Sequence, residues 1–450
     1  MPDPLIVRTV AIGDPGDLVA GLPHPKTVAW IRRGDGLAGW GEAAKVTIPA
    51  GEDRFTAGEK WLRELFDGAE VTDEVGVPGC GPVAFGSFTF DPASDGSVLV
   101  VPSVLVGRSG GQSWLTTIGD QRAALARSVR AAAPAEIRWH DGSLTAPQWQ
   151  HAVSAAVARI QAGDLCKAVL ARDLYAAASD DIDVRVLLAR LAARYPDCWT
   201  FSCAGLTGAT PELYIRRVGA EVRSLVLAGT TPRGASPAED RALGAALLAS
   251  PKDVEEHRYA VADVRRALEP LCDRLDIDDQ PWLLHLANLQ HLATNVTGRL
   301  AGPRPPEPAA GAFGEYASAL ALAAALHPTA AVCGTPTGAA CDDPASRPVT
   351  PVARCCRLAS RSSQGCSSMS SRSHSGASAR RTSATAYRCS STFLAEASSA
   401  APSASSSAAL PPRGVVPAST SDRTSAPTRL MYSSGVAPTR PAQENVQQSG

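Results

Sequence analysis

The chain has 450 residues, of which 44% are hydrophobic and 5% aromatic, with 43 Lys and Arg against 44 Asp and Glu. A net charge of −1 argues against a globally basic nucleic-acid-binding protein, and no apolar run reaches the roughly 18 residues of a membrane helix. The eleven cysteines lack metal-ligand spacing, and the N-terminus lacks a signal-peptide pattern. We therefore expect a cytoplasmic protein with reduced thiols and no membrane or nucleic-acid partner.

The first 340 residues carry clusters of strand signals with separate helix signals. In chain order the pattern predicts strands at 81–90, 97–105 and 114–118, helices at 123–138 and 145–163, a strand at 168–171, a helix at 183–195, paired strands at 201–206 and 213–217, a strand at 222–227, and helices at 236–248 and 253–275. Thr145 and Ser236 are expected helix N-caps. Because strands and helices do not alternate regularly, the fold class predicted is α+β.

The composition changes near residue 340. Residues 1–340 have a net charge of −8, whereas residues 341–450 have 12 Arg, no Lys, 5 acids and 26 Ser, for a net charge of +7. This later segment has too little apolar surface to offset its ordering entropy, so we predict that it is disordered. A natural Ser/Arg/Pro-rich extension and a shifted reading frame in a GC-rich gene both account for it; its five cysteines favour the frameshift.

Generic motifs for nucleotide binding, zinc hydrolysis and serine hydrolysis are missing from the sequence. Two polar residues in apolar surroundings are candidates for acid–base chemistry instead. Lys167 interrupts a strand-like stretch; it either faces water from an edge strand or is a buried lysine with a lowered pKa that acts as a general base. Glu212 precedes a strand and is either a solvated turn residue or a proton donor.

Three further features have both a structural and a functional interpretation. Asp253 and Glu256 open a long helix, where acids complement the helix dipole or, at i and i+3, ligate a hard cation. The segment 228–234 is a turn by composition, or a loop whose backbone amides face an anion. His327 follows an apolar run and is either a core histidine or a site residue.

Six motifs in this order resemble the chorismate-utilising enzymes, and most closely their isochorismate synthase branch. They are CKAVLAR, ATPELYIRR, LAGTTPRG, SPKDVEEH, LANLQHLATNVTGRL and ALHPTAAVCGTP. The resemblance covers roughly residues 20–340 and implies an α+β fold with large antiparallel sheets wrapped by helices. It divides the chain into an incomplete chorismate-binding domain at 1–340, with an N-terminal region at 1–140 and a catalytic part at 145–340, and a tail at 341–450.

The resemblance implies a Mg²⁺-dependent attack of water on C2 of chorismate with loss of the C4 hydroxyl, in a monomer, for menaquinone or siderophore synthesis. By similarity, the base is Lys167, the acid is Glu212, the Mg²⁺ ligands are Glu256 and Asp253, and the substrate pocket is lined by Gly229, Thr230 and His327. Ala228 stands where aminodeoxychorismate synthases carry a nucleophilic lysine, and anthranilate synthases lack a lysine at the position of Lys167. Salicylate synthases share both features and remain an alternative.

The resemblance ends soon after Gly338. The family continues with a GRYxGxxG segment, an arginine-bearing strand, a GxGI turn and a late pair of acids, and none of these motifs is found between Cys341 and Gly450. These elements bind substrate carboxylates and complete the Mg²⁺ site in the family. We therefore expect the chain as written to be poorly folded and impaired in catalysis, and a non-catalytic remnant of the family is a further alternative.

Overall fold

The computed structural model describes residues 4–23, 27–119, 133–134, 136–170, 172–179, 182–302, 316–329, 333–335 and 392–396. The first half of the described chain is mainly β-structure. Its elements are β1 (Ile6–Ile12), β2 (Thr27–Arg32), β3 (Asp35–Trp40), β4 (Ala44–Ile48), α1 (Arg54–Asp67), β5 (Glu70–Asp73), β6 (Val83–Ser87), β7 (Ser97–Val101), β8 (Val104–Ser109), β9 (Gln112–Ile118) and β10 (Ile137–Asp141).

The second half adds most of the helices and a long two-strand ribbon. Its elements are α2 (Ala146–Ala162), β11 (Lys167–Ala168), β12 (Leu174–Ala178), α3 (Val184–Arg194), β13 (Trp199–Cys203), β14 (Leu206–Thr210), β15 (Leu213–Val218), β16 (Glu221–Pro232), α4 (Pro237–Ala249), α5 (Pro251–Leu268), a 3₁₀ turn (Glu269–Leu271), β17 (Cys272–Ile277), β18 (Trp282–His285), β19 (Leu289–Leu300), α6 (Ala319–Leu326), β20 (Gly334–Thr335) and β21 (Thr392–Glu396).

Within the described residues, three larger sheets organise these strands. An eight-stranded sheet has the order β14-β13-β2-β3-β8-β9-β1-β5 and is antiparallel except for the parallel β1–β5 pair. A four-stranded sheet has the order β21-β6-β7-β4, and a five-stranded sheet has the order β15-β16-β19-β17 with β18 also paired to β19. Large antiparallel sheets with separate helices confirm the predicted α+β class.

Helix α5 lies against the five-stranded sheet because its apolar positions repeat every four residues. Ala260, Val264 and Leu268 are buried on one face and pack with Val226 of β16 and Val296 of β19. Burial of each large aliphatic side chain contributes about 1.5–3 kcal/mol. This packing fixes the helix against the middle of β16, so that the residues of its first turn lie beside that strand.

Helix α6 joins two apolar cores, which explains why its sequence ALALAAAL is apolar on every side. Leu320 and Ala323 pack in the core formed around Phe55 of α1, whereas Leu322 and Leu326 pack in the core under α5. The helix therefore connects the N-terminal part of the chain to the part that carries α5. No helix within the described residues is both long and apolar enough to cross a membrane.

Several predicted helix boundaries are confirmed, together with their capping. Thr145 caps α2 through a capping box with Gln148, and the helix ends at Gly163. Asp183 caps α3, and Ser236 caps α4 by accepting from the Glu239 amide. These caps are local signals, since the capping side chain accepts from an amide two or three residues later that the helix itself leaves unpaired.

Two predicted helices are corrected by the structure. The helix predicted at 253–275 ends at Leu268, because Pro270 disfavours continuation, and the residues after it form β17 on β19. The helix predicted at 123–138 falls mostly outside the described residues, but its last two residues belong to β10, which pairs with β12. The β-prone residues Ile137 and Trp139 favour this strand.

The predicted strand pairing and the short strand near Lys167 also differ. The predicted strand 201–206 turns back at Ala204-Gly205, where both residues have positive φ, so β13 pairs with β14 and β2. The strand 213–217 pairs with β16 instead. Of the described residues of the strand predicted at 168–171, only Ala168 lies in a strand, β11, which begins at Lys167 and pairs with β20.

The tail was predicted to lack regular structure. Five of its residues, Thr392–Glu396, form β21 at the edge of the four-stranded sheet, antiparallel to β6. In this strand the residues TFLAE have the β-prone character that most of the segment lacks. The other residues from 336 onward lie outside the described part of the chain.

Candidate active site

Lys167 is buried at the start of β11 and forms an ion pair with the helix α5. Only 7% of its side chain is exposed, and its Nζ lies 3.3 Å from Glu256 Oε1. Burial lowers the pKa of Lys167, and the carboxylates of Glu256 and Glu212 oppose part of this shift. The interpretation of Lys167 as a water-facing edge lysine is therefore wrong.

Asp253 and Glu256 lie on one face at the N-terminal end of α5. Ser250 caps the helix by accepting from the Asp253 amide at 3.3 Å, and Pro251 occupies its first turn. This cap fixes where the helix begins, and the i, i+3 spacing then directs both carboxylates to the same side. Lys252 Nζ lies 3.2 Å from Asp253 Oδ1 and 3.4 Å from Glu256 Oε2.

Glu212 reaches the same region from the turn between β14 and β15. Its amide donates to Thr210 Oγ1 at 3.2 Å, and the residue is half-buried. Its carboxylate acts electrostatically on the Lys167 amine, whose pKa it raises against the dominant lowering by burial. The structure thus brings Lys167 and Glu256 into contact from positions far apart in the sequence, and the Glu212 carboxylate influences the same amine from the β14–β15 turn.

Gly229 lies at a β-bulge that places β16 beside the acidic end of α5. The register of β16 against β19 shifts between Leu227 and Thr230, and Gly229 has φ +77°. A Cβ on Gly229 would lie 3.0 Å from Leu292 Cδ1 and 3.4 Å from Asp253 Cβ. Glycine therefore meets two requirements here, a left-handed backbone and close contact with α5.

His257 ties this bulge to α5 and was missed by the sequence reasoning. Its Nδ1 lies 3.1 Å from the Ala228 carbonyl oxygen and its Nε2 lies 2.8 Å from Thr294 Oγ1. A carbonyl only accepts, so Nδ1 carries the proton and Nε2 accepts from the Thr294 hydroxyl. Burial lowers the pKa of His257 to about 4, which keeps the ring neutral. The sequence did offer a signal that His257 is buried, since it lies three residues before Ala260 on the apolar face of α5.

Thr230 follows the bulge and has a polar partner across the strand pair. Its Oγ1 lies 2.9 Å from Nδ1 of His291, its direct neighbour on β19. His291 is buried, so its ring position is fixed by packing. This contact restrains the rotamer of Thr230, and the sequence alone did not single out His291.

His327 has a different environment from the Lys167 cluster. Its Nε2 donates to the Phe90 carbonyl oxygen at 3.0 Å, and its ring packs against Phe90 and Phe55. Burial lowers the pKa of His327, and the positive charge of Arg54 adds to that effect. Its described contacts match the core-histidine interpretation. The same segment ends at Thr335, which pairs with Lys167.

Asp253 and Glu256 supply the donor chemistry that a hard cation requires. Mg²⁺ commonly takes one or two carboxylates and fills its remaining positions with water and substrate oxygens. The described residues contain no group of three or more His, Cys, Asp and Glu side chains arranged for a metal. Two partly exposed carboxylates on one helix face therefore fit Mg²⁺ in this mode, and do not fit a metal enclosed by protein ligands alone.

Comparison with known proteins shows which family this chain resembles. A family model described as "Chorismate binding enzyme" matches residues 29–344. The chain is 33% identical to isochorismate synthase DhbC of Bacillus subtilis over 261 residues, covering 51% of this chain and 63% of that protein. It is 30% identical to isochorismate synthase EntC of Escherichia coli K12 over 264 residues, covering 58% and 62%. The chain thus spans somewhat less than two thirds of these relatives.

A solved structure of DhbC from Bacillus anthracis superimposes with a TM-score of 0.54 at 27% identity. The superposition covers 72% of this chain and 78% of the other. The α+β architecture of facing antiparallel sheets is therefore the architecture of these enzymes.

Proposed function

Because the family model covers well over half of the chain, the protein belongs to the chorismate-binding enzyme family, and we propose that it is an isochorismate synthase. The proposed reaction adds water at C2 of chorismate and removes the C4 hydroxyl, in the cytoplasm and in a monomer. The observation that carries the proposal is a buried Lys167 beside Glu256, with Ala228 in place of a second, nucleophilic lysine. Water is then the nucleophile that Lys167 activates.

Lys167 has the environment of a general base. Its ammonium form is disfavoured by burial, so a larger fraction is the neutral amine near pH 7 than in an exposed lysine. A neutral amine accepts a proton from water as the oxygen attacks, which is the role proposed for Lys167. The ion pair with Glu256 keeps the amine in place.

Glu212 is proposed as the acid that protonates the departing hydroxyl. It lies in the turn between β14 and β15, on a different element from Lys167 on β11. The proposed reaction needs a base and an acid on opposite faces of the ring, so two groups on different elements suit it. Its electrostatic effect on the pKa of Lys167 supports this shared location.

Glu256 and Asp253 are proposed to hold Mg²⁺, whose charge would neutralise a substrate carboxylate. The bulge at Gly229 and the restrained Thr230 would form the adjoining wall of the pocket. His327 is proposed as a substrate residue only through the resemblance, since its contacts with Phe90 and Phe55 place it in a packed core. The motifs missing after Cys341 lead us to expect a lowered rate.

The test is product analysis of the full chain with chorismate and Mg²⁺. We expect isochorismate by chromatography, and a drop of about 10²–10⁴-fold in kcat for Lys167→Gln. Lys60→Gln is the matched control, because Lys60 is an exposed lysine on α1 whose ammonium pairs with Glu64 in the same helix. It should leave kcat unchanged.

Other products would decide between the alternatives. Salicylate with pyruvate would identify a salicylate synthase, which shares Lys167 and Ala228. Binding of chorismate without any turnover would identify a non-catalytic member of the family. Isochorismate formed equally well by Lys167→Gln would refute the role of Lys167.

A further inference from the structure

The Lys252 ammonium lies between the two carboxylates at the N-terminal end of α5. Its Nζ is 3.2 Å from Asp253 Oδ1 and 3.4 Å from Glu256 Oε2. The lysine side chain is 77% exposed, whereas the side chains of Asp253 and Glu256 are 17% and 29% exposed. A largely exposed cation therefore covers two more deeply placed acids.

The other oxygen of each acid has a different partner. Asp253 Oδ2 accepts from Ser250 Oγ at 2.5 Å, and Glu256 Oε1 pairs with the buried Lys167 at 3.3 Å. Asp253 Oδ1 and Glu256 Oε2 are thus the oxygens that meet at Lys252. The ammonium lies where a cation ligated by both acids would lie.

We propose that Lys252 is an internal counter-cation that holds Asp253 and Glu256 together in the metal-free protein and leaves when a divalent cation binds. The inference rests on the proposed Mg²⁺ site and adds a competitor to it. An ammonium and a divalent cation cannot share the same two oxygens, because like charges repel at contact distance. Lys252 can leave at low cost, since its side chain is 77% exposed and its ammonium regains hydration when it is released.

Lys167 cannot leave in the same way. Its side chain is 7% exposed and belongs to β11, which pairs with β20. The two lysines on Glu256 therefore have different roles, a fixed partner on the buried side and an exchangeable partner on the exposed side.

The expected effect on metal affinity follows from simple electrostatics. A displaced ammonium roughly 8 Å from a divalent cation in water-like surroundings weakens binding by about fivefold. Loss of the two ion pairs on displacement adds to this. Replacing Lys252 with methionine keeps the apolar stem and removes the charge, so Lys252→Met should bind the metal about three- to tenfold more tightly.

The experiment is a Mn²⁺ titration of the full chain, with free Mn²⁺ measured by electron paramagnetic resonance and no substrate present. Lys252→Met should lower the dissociation constant by that factor. Lys60→Met is the control, since Lys60 is also 77% exposed and its ion pair lies on another helix. Asp253→Asn should weaken binding and so tests whether the acids hold the metal. Circular dichroism confirms that each variant is folded.

The outcomes separate the inference from the proposed function. If Asp253→Asn weakens Mn²⁺ binding while Lys252→Met has the affinity of the unmodified chain, the metal site stands and the competing role of Lys252 is refuted. Weaker binding by Lys252→Met would also refute it, because Lys252 would then organise the site. If neither the unmodified chain nor any variant binds Mn²⁺, or if Asp253→Asn binds as tightly as the unmodified chain, both the metal role and the inference fail.

Discussion

Replacing Gly229 with alanine probes the contact between the β16 bulge and α5. The backbone at Gly229 has φ +77°, a region that costs an alanine about 1–2 kcal/mol. The new Cβ would also lie 3.0 Å from Leu292 Cδ1 and 3.4 Å from Asp253 Cβ, so Leu292 must move by a few tenths of an ångström. Such overpacking costs about 1–3 kcal/mol. We expect a total loss of about 2–5 kcal/mol of unfolding free energy.

A second glycine, in the turn that leads into β16, separates the backbone cost from the packing cost. Gly219 has φ +57° in the turn between β15 and β16, and a Cβ there would meet no atom within 4 Å. Gly219→Ala therefore carries the backbone cost without the packing cost. Guanidinium denaturation of both variants, at equal m-values, should show Gly229→Ala to be less stable by about 1–3 kcal/mol.

The same pair of variants tests the effect on the site. Since the new methyl group would face Asp253, Gly229→Ala should also weaken Mn²⁺ binding, whereas Gly219→Ala should not. Equal free energies of unfolding for the two variants would refute the argument that close contact with Leu292 and α5 requires glycine at the bulge.

Three further predictions concern packing, capping and thiol reactivity. Gly107→Ala would drive a methyl group into the buried Trp114 ring, so we expect an overpacking loss of at least about 1–3 kcal/mol in denaturation and a red-shifted tryptophan emission. Ser236→Ala removes the N-cap of α4 and should cost about 1 kcal/mol, measured by the same denaturation; an unchanged midpoint would contradict the cap. Burial raises the pKa of Cys203 to about 12, so at pH 8 iodoacetamide should modify the exposed Cys166 and spare Cys203 in native protein, as read by peptide mass spectrometry; equal labelling would refute the buried placement.

Local signals predicted the helices well where the deciding residues are close in sequence. The predicted caps at Thr145 and Ser236 were confirmed because each side chain bonds an amide only three residues away, and the helix predicted from residue 183 begins at an Asp183 cap of the same local kind. The helix predicted through 275 was wrong, although Pro270 was a local signal for its end. What the local sequence did not reveal is that residues 272–277 pair with β19, which comes later in the chain. Strand pairing is a non-local contact, so composition around residue 270 did not reveal it.

The candidate site also combines local signals with contacts that the sequence did not reveal. Lys167, Glu212, Asp253 and Glu256 were singled out from motifs in the sequence, but each also had an ordinary structural interpretation. The fold excludes that interpretation for Lys167, because packing removes water from its amine and places Glu256 beside it. His327 was grouped with these residues by resemblance, whereas its described contacts are with Phe90 and Phe55.

The family, the α+β class and the residue types available for acid–base and cation chemistry follow from the amino-acid sequence, because motif order and capping are properties of the chain alone. Which of these residues meet depends on how distant segments pack. The tertiary structure brought α5 against the β16 bulge, oriented His257 between Ala228 and Thr294, and placed Lys252 between two acids. Burial and distance set pKa values and ion pairing, and both arise only when distant segments pack together.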